Sequence, residues 1–592
     1  MGDDITRLKK EIERLKKAVK KQKYGLVWMD VPEAFEDDVE NKLPILKEVP
    51  RLAIKNEDGK PTHILIEGDN YHALTCLNYT HKGKIDVIYI DPPYNTGSDG
   101  FKYKDKRILD KFPDGTEVPK DHPFRHSYWL SFMRKRLELA WDLLDEKGVI
   151  FISIDDNESS QLKLLCNEIF GEDNLLEVFY IQVRYADKSL NEKDNFQKLI
   201  EQVYIYTKNK KLFKPNKPSS EYDIEKFKFK IIEKNKGKEV MLGNKKVNIF
   251  KPGEYEIIEE KKGNINLLKG TWASGSVLKG NTSGKFFANY LEKRKEVDGI
   301  GILYKVANIG DDGIGYRYFT GPKKTNTTKG LFYSGVPLSR RKDIESGKGS
   351  IKYRPIINFY DYSGDFGNIR HEGEVDFRSG KKPVKMLKHF ISLHQNKNAT
   401  ILDFFAGSGS TGHAVIDINE DDDGKRQFLM ITNNEDNIMK DICYPRMENV
   451  MFGKKGIRKY GNSLKYYKTA FIGKNNILDA TDEDKIELAH NAGELLAIAE
   501  NTLELIKQNK YYQLFGDGNK EKNTATYFRE EQDNFDSFIE AVKKLNKKTT
   551  VYVFSWGDEE KIDDFAGIKE IKVKTIPLPI LEIYKQIYNL ST

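Results

Sequence analysis

Short, nearly continuous apolar runs separated by amphipathic stretches dominate the first and third quarters of the chain. Residues 64–66 (ILI), 86–90 (DVIYI) and 148–154 (GVIFISI) have the composition of strands buried on both faces. Residues 126–144 between the last two carry a helical period. The pattern resumes at Pro383, with a strand predicted over 400–405, a helix over 410–418 and a strand over 427–432. Buried strands alternating with helices predict an α/β, doubly wound, Rossmann-like parallel sheet. Between about 180 and 371 the pattern breaks into irregular strand-like pieces rich in Lys, Asn, Gly and Tyr. That stretch reads as an inserted mixed α+β domain. The last segment predicts a helical half over 481–508, with Thr481 as N-cap before an acidic turn. A strand at 549–554 and a helix at 581–588 follow, giving a small C-terminal α/β domain. At the other end, Ile5, Leu8, Ile12, Leu15 and Val19 alternate at spacings of three and four. This heptad seam suits either a short coiled coil or one amphipathic helix docked on its own domain.

The expected boundaries are therefore 1–24 for the N-terminal helix and 25–180 for the first half of the sheet domain. The insertion takes 181–375, the second half of the sheet domain 376–475, and the C-terminal domain 476–592. At 592 residues and a net charge of +7, the chain favours a polyanionic partner only weakly. Local charge says more: residues 205–251 hold 14 Lys against 5 Asp and Glu, a net +9. The run is either a solvated face or a phosphate-contacting one. Three separated cysteines (Cys76, Cys166, Cys443) form no metal-ligand spacing, so no metal is expected, and their sparseness fits a reducing compartment. No apolar signal core and no run of about 18 apolar residues occurs, so a cytoplasmic protein without membrane contact is expected.

Two motifs carry chemistry. Asp91-Pro92-Pro93-Tyr94 follows directly on the strand DVIYI, at the end where ligands bind in such sheets. Consecutive prolines stiffen the turn and remove two N–H donors. A carboxylate, a carbonyl and an aromatic ring together suit a planar base bearing an NH2 group, although a rigid turn with a capping Asp would use the same residues. The second motif, Asp403-Phe404-Phe405-Ala406-Gly407-Ser408-Gly409-Ser410-Thr411-Gly412, leaves a buried strand and opens a helix. Its glycines allow close approach of a ligand. Gly407, Gly409 and Gly412 also match dinucleotide-binding spacing, so the loop alone leaves the ligand open between a dinucleotide and S-adenosylmethionine.

Together the motifs resemble the catalytic and cofactor motifs of amino-methyltransferases. Their order, catalytic motif first with an insertion between, resembles the beta class of DNA amino-methyltransferases. The stretches LIEGDNYHALTCLNYTHKGKIDVIYIDPPYNTG and HSYWLSFMRKRLELAWDLLDEKGVIFISIDDNE resemble the modification subunit of type III restriction-modification systems. The resemblance implies methyl transfer from S-adenosylmethionine to N6 of a flipped-out adenine, with the insertion as target-recognition domain. It places Asp91, Pro92, Pro93 and Tyr94 in catalysis. Cofactor contacts are expected from Asp69, Phe377, Lys382, Pro383, Asp403, Phe405, Gly407, Gly409, Thr411 and Glu435. Glu435 stands in for the acid expected just after the second strand. DNA contacts are expected from Lys208, Lys210, Lys211 and Asn95. Cytosine N4 methylation is the nearest alternative, although Ser more often replaces Asp in the first motif position for that activity. Methylation of RNA or protein fits the large insertion less well. A subunit that mainly delivers DNA to a nuclease is a further reading, compatible with methylation. No Walker A motif occurs, so any cleavage would come from a separate helicase-nuclease chain. Double-stranded DNA and a second copy of the chain are the expected partners.

Overall fold

The computed structural model describes residues 43–56, 58–96, 123–188, 195–221, 223–273, 282–324, 329–346, 351–377, 380–454, 458–475, 477–518, 520–530, 533–556 and 562–590, with Trp28 and Thr327. The heptad seam at 5–19 lies outside the described residues. The chain divides into two compact units, residues 217–356 and the remainder.

The larger unit is built on a ten-stranded sheet. Its strands are β1 (Leu43–Glu48), β2 (Thr62–Glu67), β3 (Ile85–Ile90), β4 (Leu144–Ile154), β5 (Leu175–Gln182), β6 (Ile200–Thr207), β7 (Phe359–Asp361), β8 (Thr400–Asp403), β9 (Gln427–Thr432) and β10 (Ser463–Ile472). The spatial order is β1-β10-β2-β9-β8-β3-β4-β6-β5-β7. The six strands from β10 to β4 run parallel, while β1 and β6 flank them antiparallel.

Both faces of the parallel core are covered, which is why its strands read as continuous apolar runs. Ile88, Ile90, Ile150 and Ile152 join a core with Leu74 and Leu77 of α1 (Asn70–His81) and Leu130 and Leu137 of α2 (Ser127–Leu143). Tyr89 and Phe151 point to the other side, where Phe390 of α4 (Val384–Ser392) lies against both rings. The remaining helices used below are α3 (Ser159–Phe170), α5 (Ser410–Asp422) and α6 (Tyr444–Phe452).

β3 leads through α2 to β4 on one side, and β8 leads through α5 to β9 on the other. The connections thus diverge between the neighbours β3 and β8. Such a switch point opens a crevice at the carboxyl ends of the strands.

The compact inserted unit is narrower than the 181–375 stretch read from composition. β6 belongs to the main sheet because Val203 through Thr207 are all buried there between β4 and β5. Residues 217–356 themselves form an eight-stranded antiparallel sheet and a two-stranded ribbon. Val247, Ile249, Phe287, Leu291, Val306 and Phe319 lie in one core of this unit.

The C-terminal segment carries helices Asp482–Asn491 and Gly493–Glu500, then a five-stranded sheet and a final helix, Leu578–Leu590. Thr481 does cap the first helix, in a reciprocal pair with Asp484. The helical half ends at Glu500 rather than Gln508. Asn501 turns left-handed (φ 53°), and Glu504–Gln508 becomes an edge strand. A β-capable run such as ELIKQ follows whichever neighbour is offered, here the strand Tyr512–Gly516.

Candidate active site

The switch-point crevice is lined by four carboxyl-terminal strand ends. β2 delivers Gly68, Asp69 and Asn70; β3 delivers Asp91 and Pro93; β8 delivers Asp403 through Ser408; β9 delivers Thr432, Asn433 and Glu435. Phe132 of α2, with Phe377 and Lys382 from the segment before α4, complete much of the wall. Most of the residues expected from sequence thus converge on one cavity. Pro92, Tyr94, Gly409 and Pro383, the N-cap of α4, are not part of its lining.

The glycine loop divides into two roles. Gly407 has φ 50°, and a Cβ there would meet nothing closer than Phe405 O at 3.7 Å, so it faces the cavity. At Gly409 (φ 76°) a Cβ would come within 3.1 Å of Cys443 Sγ, and at Gly412 within 2.6 Å of Met430 Cε. Those two glycines serve packing of α5 against α6 and β9. The loop is further tied by Asp403, which accepts from Phe405 N at 2.9 Å and from Thr411 Oγ1 at 2.5 Å. Burial pushes the Asp403 carboxyl up to about 7 despite these donors, with Asp91 adding to the rise. Asp69 caps α1 through Tyr71 N at 2.8 Å and lies 3.3 Å from the guanidinium of the buried Arg136.

The Asp91–Tyr94 turn is held from several sides. Trp129 Nε1 donates to Pro93 O at 2.7 Å. Asn95, in left-handed conformation (φ 61°), donates to the buried Glu158 Oε1, as does His126 Nδ1 when it carries the proton. Asn95 was a candidate for DNA contact; it is buried and braces the turn instead.

The Asp91 carboxylate stands in a cluster. Lys382 Nζ is 3.2 Å from Asp91 Oδ1, 2.7 Å from Glu201 Oε2 of β6 and 2.8 Å from Tyr94 Oη. Tyr94 Oη is 2.7 Å from Asp91 Oδ1. Burial raises the Asp91 pKa, Lys382 pulls it back down, and Glu201 raises it again. Burial opposes the charge on Lys382, but Asp91 and Glu201 outweigh it and hold the ammonium above its ordinary value. The sequence expects Lys382 at the cofactor; the geometry also ties it to the Asp91 carboxylate.

Sequence reading missed Glu201, which lies 181 residues from Lys382, and Arg446 of α6. Arg446 is fully buried and donates to Ser410 Oγ at 2.7 Å and Glu372 Oε2 at 2.8 Å. It braces the glycine loop against the segment that carries Phe377. Neither residue sits in a motif, so no local signal marks them.

The lysines proposed for DNA fall in the larger unit. Lys208 Nζ donates to Trp141 O at 2.5 Å and lies 4.4 Å from that ring's centroid, while Lys210 Nζ donates to Leu175 O at 2.8 Å. Both heads are occupied by the protein's own groups; Lys211 is exposed. The three cysteines are buried free thiols, and among the described residues no helix is long and apolar enough to cross a membrane.

Residues 85–473 match the pattern of a family described as DNA methylase. The Mod subunit of the type III restriction-modification enzyme EcoPI from Escherichia phage P1 is 30% identical over 448 residues, covering 70% of this chain and 64% of that protein. The EcoP15I Mod subunit of Escherichia coli is 28% identical over 458 residues, covering 70% of this chain and 65% of that protein. The type II methyltransferase M.KpnI of Klebsiella pneumoniae is 30% identical over 410 residues, covering 66% of this chain and 83% of that protein. The chain spans 52% to 65% of the length of the type III relatives it matches.

Proposed function

The chain belongs to the DNA methylase family, and from that premise we propose that it transfers a methyl group from S-adenosylmethionine to N6 of an adenine extruded from double-stranded DNA. One observation carries this reading. The carboxyl ends of β3 and β8 bring Asp91 and the open side of Gly407 to the walls of a single cavity.

The cavity suits the cofactor by its chemistry. It offers the carboxylates of Asp69, Asp403 and Glu435 to a cationic ligand bearing ribose hydroxyls, and the rings of Phe132, Phe377 and Phe405 to an adenine. Gly407 leaves room that any side chain would fill. When bound there, the cofactor supplies an electrophilic methyl group on a sulfonium.

The chain's own residues address the harder half of the reaction. An exocyclic amine is a poor nucleophile because its lone pair is delocalised into the ring. Asp91 and the Pro92 carbonyl accept its two hydrogens, pushing density onto nitrogen and favouring a tetrahedral geometry. Trp129 donates to the Pro93 carbonyl and so fixes the turn that carries the Pro92 carbonyl. Among the described residues nothing donates to Asp91 Oδ2, which leaves that oxygen for the amine. Tyr94 stacks on the extruded base. Orientation and fixed dipoles do most of the work.

The similarity to Mod subunits supports two further readings. The chain acts in the cytoplasm as the modification and DNA-recognition subunit of a type III restriction-modification system, beside a separate helicase-nuclease. It also works as a homodimer, which scattering of the 68.4 kDa chain tests directly. The inserted 217–356 unit reads the target sequence. Sequencing of modified bases in DNA from cells expressing this chain alone tests the activity. N6-methyladenine in a fixed sequence context is the expected result; N4-methylcytosine or no modified base refutes it.

A further inference from the structure

Glu201 lies outside every motif, yet it shares Lys382 and Tyr94 with Asp91. The side chains of Lys382, Asp91 and Glu201 are 8%, 15% and 23% exposed, so the ammonium cannot turn to water for a partner. Tyr94 Oη lies 2.7 Å from Asp91 Oδ1 and 3.1 Å from Glu201 Oε2. Its single proton can serve only one of them at a time. In this arrangement Asp91 holds both an ammonium and a phenol on one oxygen, which spends much of its charge before any amine arrives. The Tyr94 hydroxyl is also bonded to the carboxylate it must leave for the ring to lie over a base.

We propose that Glu201 is a positioning residue for methyl transfer, the alternative acceptor that draws Lys382 Nζ and the Tyr94 hydroxyl off Asp91 when the target base enters. The inference rests on the reading of Asp91 as the amine's acceptor. Glu201 is already within reach of both groups, so the exchange needs only small side-chain movements. Without the Glu201 charge, release of Asp91 would strand a buried ammonium, and that is costly. Lys382 would then stay clamped on Asp91.

The groups facing Asp91 are Lys382, Glu201, Tyr94, Tyr89 and Asp403. Of these, Glu201 raises the Asp91 pKa and Lys382 lowers it. Neutralising Glu201 should therefore ease ionisation of Asp91 while slowing its release, two effects that a purely structural role would not combine.

The test uses the full chain with tritiated S-adenosylmethionine and unmethylated DNA under single-turnover conditions. Glu201→Gln should slow transfer by about 10- to 100-fold, roughly 1.4 to 2.7 kcal/mol of barrier, because Lys382 stays on Asp91. Cofactor affinity by calorimetry should stay within about threefold, below the 1.4 kcal/mol that a tenfold change would mean. The acid limb of the pH–rate profile should move to lower pH, and Glu201→Asp should recover much of the rate. A Glu201→Gln protein as fast as wild type overturns the inference. So does one whose rate falls in step with cofactor affinity and whose acid limb stays in place. A wild-type protein that methylates no adenine removes the underlying reading instead, so the two failures are distinguishable.

Discussion

Replacing Asp91 with Ala separates chemistry from binding. The carboxylate sits against a buried ammonium, and deleting one partner of such a pair usually destabilises a protein by leaving the other unpaired. Here it should not. Lys382 keeps Glu201 Oε2 at 2.7 Å and Tyr94 Oη at 2.8 Å, and Tyr94 keeps Glu201 at 3.1 Å. The ammonium thus exchanges two competing carboxylates for one, and thermal unfolding should change little. The Gly407 side of the cavity is untouched, so S-adenosylmethionine should bind within a few fold of wild type. The amine, by contrast, loses its charged acceptor and retains only the Pro92 carbonyl. Removing one preorganised electrostatic group typically slows the chemical step about 100- to 1000-fold, roughly 2.7–4 kcal/mol. Tritium transfer to DNA under single-turnover conditions measures the rate, and calorimetry measures cofactor affinity. Retention of more than about a tenth of the rate would mean the group supplies less than about 1.4 kcal/mol. That outcome would end the assignment of Asp91 as the amine's acceptor. The pH profile offers an independent check. Burial, countered by Lys382, leaves the Asp91 pKa raised, and the ionised form is the much stronger acceptor. The wild-type rate should therefore fall in acid as pH drops through that raised value, and Asp91→Asn should lose this limb.

Gly407→Val should abolish cofactor binding, since the new side chain enters the cavity, and should lower Tm because Val is strained at φ 50°; calorimetry showing unchanged affinity would place the ligand elsewhere. Asp403→Asn should stabilise the protein more at pH 8 than at pH 4. The folded carboxyl titrates near 7 against an ordinary 3.8, so folding loses stability as pH rises between those values and the deficit persists above them. Equal shifts in Tm at both pH values would contradict this. Lys208→Ala should cost about 1 kcal/mol of stability, through the lost Trp141 contacts, without flattening the salt dependence of DNA affinity. Lys211→Ala should lower that salt slope by about 1 if its exposed head meets a phosphate. Denaturant melts and binding titrations at several salt concentrations decide both.

The two motifs were legible in the sequence because each is a local event. After Asp86 the run VIYI is apolar because helices cover both faces, and Pro92 and Pro93 end it because they have no N–H to continue the ladder. The Gly-rich turn after Asp403 likewise announces a chain that must bend sharply into α5. Sequence therefore determined the doubly wound core and the two strand ends that carry Asp91 and Gly407. It did not determine what those residues touch. GxGxxG spacing cannot tell that Gly407 faces space while Gly409 and Gly412 face Cys443 and Met430. A lysine-rich run cannot tell that Lys208 and Lys210 spend their charge on Trp141 O and Leu175 O. The helix expected through 504–508 is a strand, because the neighbouring strand Tyr512–Gly516 pairs with it. Above all, Lys382 meets Tyr94 across 288 residues and Glu201 across 181. Such contacts leave no period or spacing in the chain. They exist because β6 folds antiparallel beside β4 while the segment before α4 returns to the end of β3, and only the closed sheet brings those ends to one place.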